Sequence, residues 1–122
     1  MKVVCAGLSK TGTKSLAKAL RILGFTVFDH LEHRELHFSG WVDLYCEGKL
    51  PDFAVTYRGV DAVIGLPPAF WFQEISEDFP DAKVILTLRD NEDVWAQSLA
   101  KHNDYVTSYG GYRYLHIMYQ SN

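Results

Sequence analysis

A glycine-bracketed loop near the N-terminus constrains this fold more than any other feature of the sequence. The apolar run at residues 3–6 predicts a short buried strand, and apolar side chains recur at helical spacing over residues 16–23. Between them lies the segment Gly7-Leu8-Ser9-Lys10-Thr11-Gly12-Thr13-Lys14-Ser15. A loop between a strand and a helix N-terminus directs backbone amides and the helix dipole toward one point. The segment therefore predicts an anion site, to which its lysines and hydroxyls add further donors.

Apolar segments continue to alternate with helical patterns along the chain. The first predicted helix ends at Gly24, and a second region, residues 29–48, is predicted as two helical pieces broken near Ser39-Gly40. A further helix is predicted from Pro67-Pro68 to residue 79. The last begins after Asn91, which can cap it. Residues 51–59 predict a loop or a short helix. Strands are predicted at residues 25–28, 60–66 and 83–88.

These strands are continuously apolar, which is typical of a parallel sheet covered by helices on both faces. The predicted fold class is therefore α/β, a P-loop-like three-layer domain. Ligands in such sheets bind beyond the carboxyl ends of the strands. In this chain those ends are residues 7–15, 29–33 and 89–90.

Size and composition restrict the classes of partner. The 122 residues fit one small domain, and a net charge of −3 argues against a large basic surface for nucleic acid. Two cysteines are too few for a disulfide scaffold, and no stretch approaches the ~20 apolar residues of a membrane span. We expect a cytoplasmic chain with an α/β domain at residues 1–102 and a Tyr- and Gly-rich tail at residues 103–122.

The register of the loop departs from that of nucleotide-hydrolysing P-loops, which read G-x-x-x-x-G-K-[ST]. Gly7 and Gly12 have the correct spacing, but Thr13 stands where the lysine belongs, and Lys14 comes one residue late. Gly65 also occupies the end of the third predicted strand, where a metal-dependent kinase would need an acidic residue. Both features argue against a metal-dependent kinase.

The loop contains the segment Lys10-Thr11-Gly12-Thr13-Lys14-Ser15-Leu16, preceded by Ser9. This segment resembles the 5′-phosphosulfate loop of sulfotransferases, which commonly reads P-K-[ST]-G-T-[TS]-x-L. Ser9 stands in place of the usual proline. A second block of the sequence is Phe79-Pro80-Asp81-Ala82-Lys83-Val84-Ile85-Leu86-Thr87-Leu88-Arg89-Asp90, with Trp95 and Ser98 after it. This block resembles the P-loop NTPase-like branch of the sulfotransferase family. The residues at 59–63 and Phe70-Trp71 also fit that branch. The resemblance runs from residue 2 to residue 99, and two blocks in order are more specific than one.

The resemblance implies transfer of a sulfonyl group from PAPS (3′-phosphoadenosine 5′-phosphosulfate) to a hydroxyl or amine, with no metal. It implies that the phosphosulfate end of PAPS is bound by the loop residues Ser9, Lys10, Thr11, Gly12, Thr13, Lys14 and Ser15. Lys10 would stabilise the leaving-group oxygen. Arg89 and Ser98 match the family's 3′-phosphate ligands, at a spacing of nine residues where eight is common.

An acceptor must lose a proton, which calls for a general base. The best candidate for this base is His30, which lies in the segment after the second predicted strand, residues 29–33. Glu32 and His33 in the same segment are weaker candidates. The acceptor itself, a small molecule or a glycan-type compound, cannot be read from the sequence. Phe70, Trp71 and Phe72 are either core or the lining of an acceptor pocket.

A zinc site is the competing interpretation of the histidines. His30, His33 and His37 share one face of a helix, but the outer two lie roughly 10 Å apart by helix rise, too far for one ion. A polar helix face is the simpler explanation.

Relatives in this family run to roughly twice this length, so the chain resembles a C-terminally truncated copy with an incomplete sheet. Three hypotheses follow: a PAPS-dependent sulfotransferase or its cofactor-binding part, a non-catalytic α/β scaffold, and a nucleotide phosphotransferase with a shifted P-loop. Exposed apolar surface would favour a homo-oligomer.

Overall fold

The structure, a computed structural model, describes residues 1–108 and divides the chain into two compact units, Met1–Leu88 and one that begins at Arg89. The first unit contains four strands and four α-helices, and the described part of the second, residues 89–108, contains one long helix. In chain order the elements are β1 (Val3–Cys5), α1 (Thr13–Ile22), β2 (Val27–Phe28), α2 (His30–Glu47), α3 (Phe53–Thr56), β3 (Ala62–Val63), a 3₁₀ turn (Pro68–Phe70), α4 (Phe72–Asp78), β4 (Lys83–Ile85) and α5 (Glu92–Thr107).

The strands form one parallel sheet in the order β2-β3-β1-β4. In the central register, Val4 lies between Val63 of β3 and Val84 of β4. This confirms the predicted α/β class with a parallel sheet. Because parallel strands end at the same edge, the segments after β1 and β2 emerge on the same side of the sheet.

Two hydrophobic clusters cover the two faces of this sheet, as the alternation of side chains along a strand requires. On one face, Val4 and Val63 pack with buried residues of α2, α3 and α4, including Trp41. On the opposite face, Cys5 packs with Ala17 and other buried residues of α1 and the strands. The predicted three-layer arrangement is therefore present in the first unit.

The predicted break near Ser39-Gly40 is wrong, because α2 is continuous from His30 to Glu47. A glycine inside a helix costs about 1 kcal/mol relative to alanine, which explains the prediction. Burial of Trp41 and Leu44 against the sheet outweighs this local preference.

Other boundaries differ by small amounts from the sequence pattern. The predicted helix after Pro67-Pro68 is a 3₁₀ turn followed by α4, and β4 ends at Ile85 rather than Leu88. Asn91 caps α5 as predicted, with Oδ1 accepting from the N–H of Val94 at 3.0 Å. α5 continues to Thr107, and the rest of the predicted tail lies outside the described residues. None of the helices within residues 1–108 has the length and apolar character needed to cross a membrane.

Candidate functional site

The loop after β1 is packed tightly against the segment that follows β4. Gly7 is buried, and a Cβ atom at this position would collide with Oγ1 of Thr87. A side chain of any kind would therefore push the loop away from the neighbouring strand end. Gly7 is required here because the Thr87 side chain occupies the space that a Cβ atom would need.

The Thr11 hydroxyl holds the loop in shape from within. Its Oγ1 lies 2.6 Å from the carbonyl oxygen of Leu8 and 2.7 Å from Oγ1 of Thr87. A hydroxyl has one proton, so Thr11 donates to Leu8 and Thr87 donates to Thr11. The side chain of this predicted cofactor-binding residue is thus used inside the loop, which leaves its backbone amide for a ligand.

The backbone of the loop contains left-handed residues of the kind found in anion-binding nests. Lys10 and Gly12 both have positive φ angles, 70° and 98°. Left-handed residues within a turn rotate successive N–H groups toward one side, as in the nests that bind phosphate. A lysine pays a steric penalty in this region, so the loop maintains Lys10 there against its intrinsic preference.

The first turn of α1 points the same kind of donor toward the loop. Gly12 is the N-cap, no side chain caps the helix, and the first turn has no acidic residue. The first backbone N–H groups of a helix have no partner inside it, and the helix dipole favours an anion there. Of the predicted residues, Ser9 and Thr13 are half-buried, whereas Lys14 and Ser15 are exposed.

Lys14 forms an ion pair that the sequence did not predict. Its Nζ atom lies 2.8 Å from Oδ2 of Asp29, the residue that follows β2. The Asp29 carboxylate also accepts from the backbone N–H of His30 at 2.5 Å and caps α2. The carboxyl ends of β1 and β2 are therefore connected through a lysine of the loop.

The Asp29 and His30 side chains have different protonation behaviour. Burial by itself would raise the pKa of Asp29, but the bonds from Lys14 and from the His30 amide outweigh it and leave that pKa lowered. Partial burial lowers the pKa of the His30 side chain, which remains accessible to solvent, and the charges of Lys14 and Arg34 lower it further. Near pH 7 the pair is a carboxylate beside a neutral imidazole.

The two weaker base candidates have structural roles. Glu32 accepts from the backbone N–H of Asp29 at 2.9 Å and from Arg21 at 2.9 Å, which completes the capping box of α2. His33 is only 1% exposed, and burial together with the nearby His37 lowers its pKa to about 4. His33 is therefore inaccessible to a substrate, and the Glu32 carboxylate already accepts two hydrogen bonds.

Arg89 and Ser98 belong to the second unit, and the structure brings them together. Nη2 of Arg89 donates to Oγ of Ser98 at 3.2 Å. Arg89 is the first residue of this unit, and Ser98 lies in the second turn of α5. The Arg89 side chain is exposed and the serine is half-exposed. A guanidinium beside a hydroxyl is a donor set that suits phosphate oxygens.

The chain is similar to a known family of proteins. The model described as "Sulfotransferase domain" matches residues 2–121. The chain belongs to the sulfotransferase family. A protein of Aspergillus versicolor named Ava biosynthesis cluster protein M is 34% identical over 112 residues, an alignment that covers 81% of this chain and 42% of that protein. The chain therefore spans less than half the length of this relative.

Two residues that shape this sulfotransferase domain were not singled out from the sequence. Asp29 was recognised only as part of a strand end, although the spacing Asp29-x-x-Glu32 before a helical segment is the signal of a capping box. Thr87 lay within a predicted strand, and nothing in the local sequence indicates its contact with Gly7 and Thr11.

The remaining candidates of the sulfotransferase domain separate into core and surface. Within residues 1–108, no group of three or more His, Cys, Asp or Glu side chains is arranged to hold a metal ion. Trp71 and Phe72 pack against the hydrophobic cluster of α2–α4, whereas Phe70 is 58% exposed. This agrees with a core role for two of the three aromatic residues.

Proposed function

We propose that this chain binds PAPS and donates its sulfonyl group to a hydroxyl or amine acceptor, as the cofactor-binding part of a sulfotransferase. The observation that carries the proposal is the loop after β1. Left-handed Lys10 and Gly12 precede a helix whose N-terminus is capped by no side chain. Family membership supplies the expectation of PAPS, and the geometry of the loop suits a phosphosulfate group.

The donors of the loop fit the phosphosulfate end of PAPS. The backbone amides of the loop and of Thr13 and Lys14 would hold the 5′-phosphate, and Lys10 would face the leaving-group oxygen. The Lys14 ammonium has three N–H donors, and Asp29 takes one of them at 2.8 Å. Another can therefore reach a phosphate oxygen while the ion pair is kept.

In the second unit, Arg89 and Ser98 would bind the 3′-phosphate. Their mutual hydrogen bond orients the guanidinium at the start of α5. Arginine presents several donors in a planar fork, so it can contact two phosphate oxygens at once. Ser98 then contributes a hydroxyl donor from α5.

PAPS, when bound, supplies the sulfonyl group and leaves as PAP (adenosine 3′,5′-bisphosphate). The chain's contribution is positioning and charge stabilisation, as in phosphoryl transfer. Lys10 would offset the negative charge that grows on the leaving phosphate. His30 would take the acceptor proton, because its lowered pKa keeps the imidazole neutral near pH 7. Asp29 is a weaker base, since its pKa is lowered below that of an ordinary carboxyl.

Calorimetric titration with PAP, with and without Mg²⁺, tests the proposal. We expect binding that needs no metal and weakens at least tenfold in Lys10→Asn and in Arg89→Ala. Asparagine is chosen because it tolerates the left-handed backbone of residue 10. Lys18→Ala is the matched control, since it removes an exposed lysine from α1 outside the loop and should leave binding unchanged.

The other outcomes discriminate between the remaining hypotheses. Binding of ATP that depends on Mg²⁺ would support a phosphotransferase instead. A folded chain that binds neither nucleotide would support a scaffold without a cofactor and refute the proposal. Once PAP binding is established, ³⁵S-labelled PAPS with panels of phenols, alcohols and amines identifies the acceptor class. His30→Gln should then lower kcat by about 10²–10⁴-fold without weakening PAP binding.

A further inference from the structure

The Asp29 carboxylate makes two different contacts, one with each of its oxygen atoms. Oδ2 accepts from Nζ of Lys14 at 2.8 Å, and Oδ1 accepts from the backbone N–H of His30 at 2.5 Å. Lys14 belongs to the loop proposed to hold the sulfonyl donor, and His30 is the proposed base for the acceptor. One buried carboxylate therefore connects the donor site with the base.

This connection passes the end of β3. The strand order β2-β3-β1 places β3 between the strand that leads to Asp29 and the strand that leads to Lys14. Gly65 lies two residues after β3 and has a φ angle of 81°. A Cβ atom on Gly65 would already lie 3.6 Å from Oδ1 of Asp29, so a longer side chain would crowd the carboxylate. The glycine thus leaves space for an ion pair between two strands that are not neighbours.

Burial makes the Asp29 carboxylate depend on its partners. Its side chain is 7% exposed, and the bonds from Lys14 and from the His30 amide outweigh the effect of burial and lower its pKa. A buried carboxylate that loses a partner is unfavourable, because water cannot fully replace that partner. The Lys14 ammonium is 69% exposed and belongs to a long side chain with many rotamers. The ion pair therefore selects one position for it.

Both partners of the ion pair also act on the His30 imidazole. Burial is the largest cause of the lowered pKa of His30, and the charges of Lys14 and Arg34 lower that pKa further, whereas the charge of Asp29 raises it. Asp29 thus opposes the two cations and keeps the imidazole a stronger base than they alone would allow. A general base is most effective when its pKa lies near the working pH.

We propose that Asp29 is a positioning residue of the sulfonyl transfer, which fixes the Lys14 ammonium in the donor loop and the first turn of α2 that carries His30. The inference rests on the proposed function. Asp29 acts through Lys14 and His30 rather than on the substrates, because its carboxylate is buried and both of its oxygens have partners.

Titration of His30 in the ligand-free chain tests the connection without PAPS. The His30 ring signals, assigned with His30→Gln, are followed by NMR in the wild type, Asp29→Asn and Lys14→Met. Asp29→Asn removes an anion but keeps an oxygen that can cap α2, so the pKa of His30 should fall. Lys14→Met removes a cation, so that pKa should rise. A general loosening of the fold would instead raise the pKa of His30 in both variants, because burial would be lost.

The proposed role also predicts that Asp29→Asn separates turnover from binding. With ³⁵S-labelled PAPS and an acceptor found in the panels described above, kcat should fall about 10–10²-fold, because the donor loop and the base lose their common contact. The dissociation constant for PAP should stay the same or fall, since an anion that competes for Lys14 is removed. A loop that had merely lost its shape would bind PAP more weakly.

Asp61→Asn is the matched control. Asp61 also forms an ion pair, with Nζ of Lys2 at 3.0 Å, and its carboxylate also accepts from a backbone N–H, that of Thr26, at 2.9 Å. It precedes β3, whereas the proposed site follows the carboxyl ends of the strands. Asp61→Asn should leave the His30 titration, kcat and PAP binding unchanged.

The outcomes distinguish the proposed role of Asp29 from the proposed function. A His30 pKa that rises or stays unchanged in Asp29→Asn, an unchanged kcat, or weaker PAP binding in that variant would overturn the positioning role. A wild-type chain that shows the opposite His30 shifts but binds no PAP would refute a role in sulfonyl transfer and place the error in the proposed function.

Discussion

The Nζ atom of Lys14 lies 2.8 Å from the Oδ2 atom of Asp29, and the two side chains differ sharply in exposure, 69% for the lysine and 7% for the aspartate. The ammonium is therefore mostly hydrated, whereas the carboxylate has left water and depends on its protein partners. Because the carboxylate also caps α2, its loss affects more of the structure than loss of the lysine.

Replacement of Asp29 should separate its charge from its capping role. Asp29→Ala should lower the free energy of unfolding by about 1–2 kcal/mol, since it removes an N-cap and leaves helix amides without a partner. Asp29→Asn keeps an oxygen that can cap the helix, so it should cost less. Urea denaturation of both variants beside Lys14→Met measures the difference. Equal costs for alanine and asparagine would show that the cap contributes nothing.

Stability should fall between pH 6.5 and pH 4 because of His33. Burial holds the pKa of this imidazole near 4 in the folded chain, while the unfolded chain binds a proton near pH 6.5. The unfolded state therefore binds more protons inside this window, and the stability that is complete above pH 6.5 is lost on acidification. One proton over this range corresponds to a loss on the order of 3 kcal/mol.

His33→Phe should flatten this part of the pH profile, as measured by urea denaturation at intervals from pH 4 to pH 7.5. His30 and His37 also have lowered pKa values and should leave a residual slope. Asp29 acts in a separate window, since its contribution is present above pH 3.8 and is lost only below it. An unchanged slope in His33→Phe would contradict the assignment.

Gly7→Ala should destabilise the chain and disturb the loop, because the added Cβ would collide with Thr87 Oγ1. Overpacking of this kind costs typically 1–3 kcal/mol. Thr87→Gly removes the colliding side chain, so the double variant should be more stable than the sum of the single changes predicts. Thermal unfolding of the four proteins measures this coupling, and strict additivity would refute the contact.

Two glycine-to-alanine changes should act in opposite directions. Gly40→Ala lies within α2 with open space around its Cβ, and should stabilise the chain by about 0.5–1 kcal/mol. Gly12→Ala must adopt a φ of 98° at the N-cap of α1, and should destabilise by at least ~1 kcal/mol. Chemical denaturation under one set of conditions compares them. Destabilisation by Gly40→Ala would show that its helix position is strained.

Local patterns predicted most elements of the fold, whereas residues 51–59, which contain α3, were left open between a loop and a short helix. The order of apolar strands and helices indicated the parallel sheet, and the position of Asn91 predicted the start of α5. The continuity of α2 could not be predicted from local sequence, because it depends on burial of Trp41 and Leu44 against the sheet, which is a tertiary contact.

The candidate site was predictable to the extent that its residues are contiguous. The motifs predicted the loop from Ser9 to Ser15 as a cofactor site and Arg89 and Ser98 as ligands of one phosphate, and these remain predictions. The structure adds a hydrogen bond of 3.2 Å between the Arg89 and Ser98 side chains. The contact of Lys14 with Asp29 and that of Thr11 with Thr87 depend on which strands become neighbours. The histidine face was misleading, because burial of His33 follows from packing and not from helical spacing.

The hydroxyl bond between Thr11 and Thr87 joins positions separated by 76 residues. A nascent chain that has completed the loop must therefore wait for the end of β4 to be synthesised, roughly 4–15 s at ~5–20 residues per second. During this interval the loop lacks the partner that shapes it, so a half-made chain has the sequence of the site without its conformation. We therefore expect competence to bind an anion to arise late in biosynthesis, together with the docking of β4.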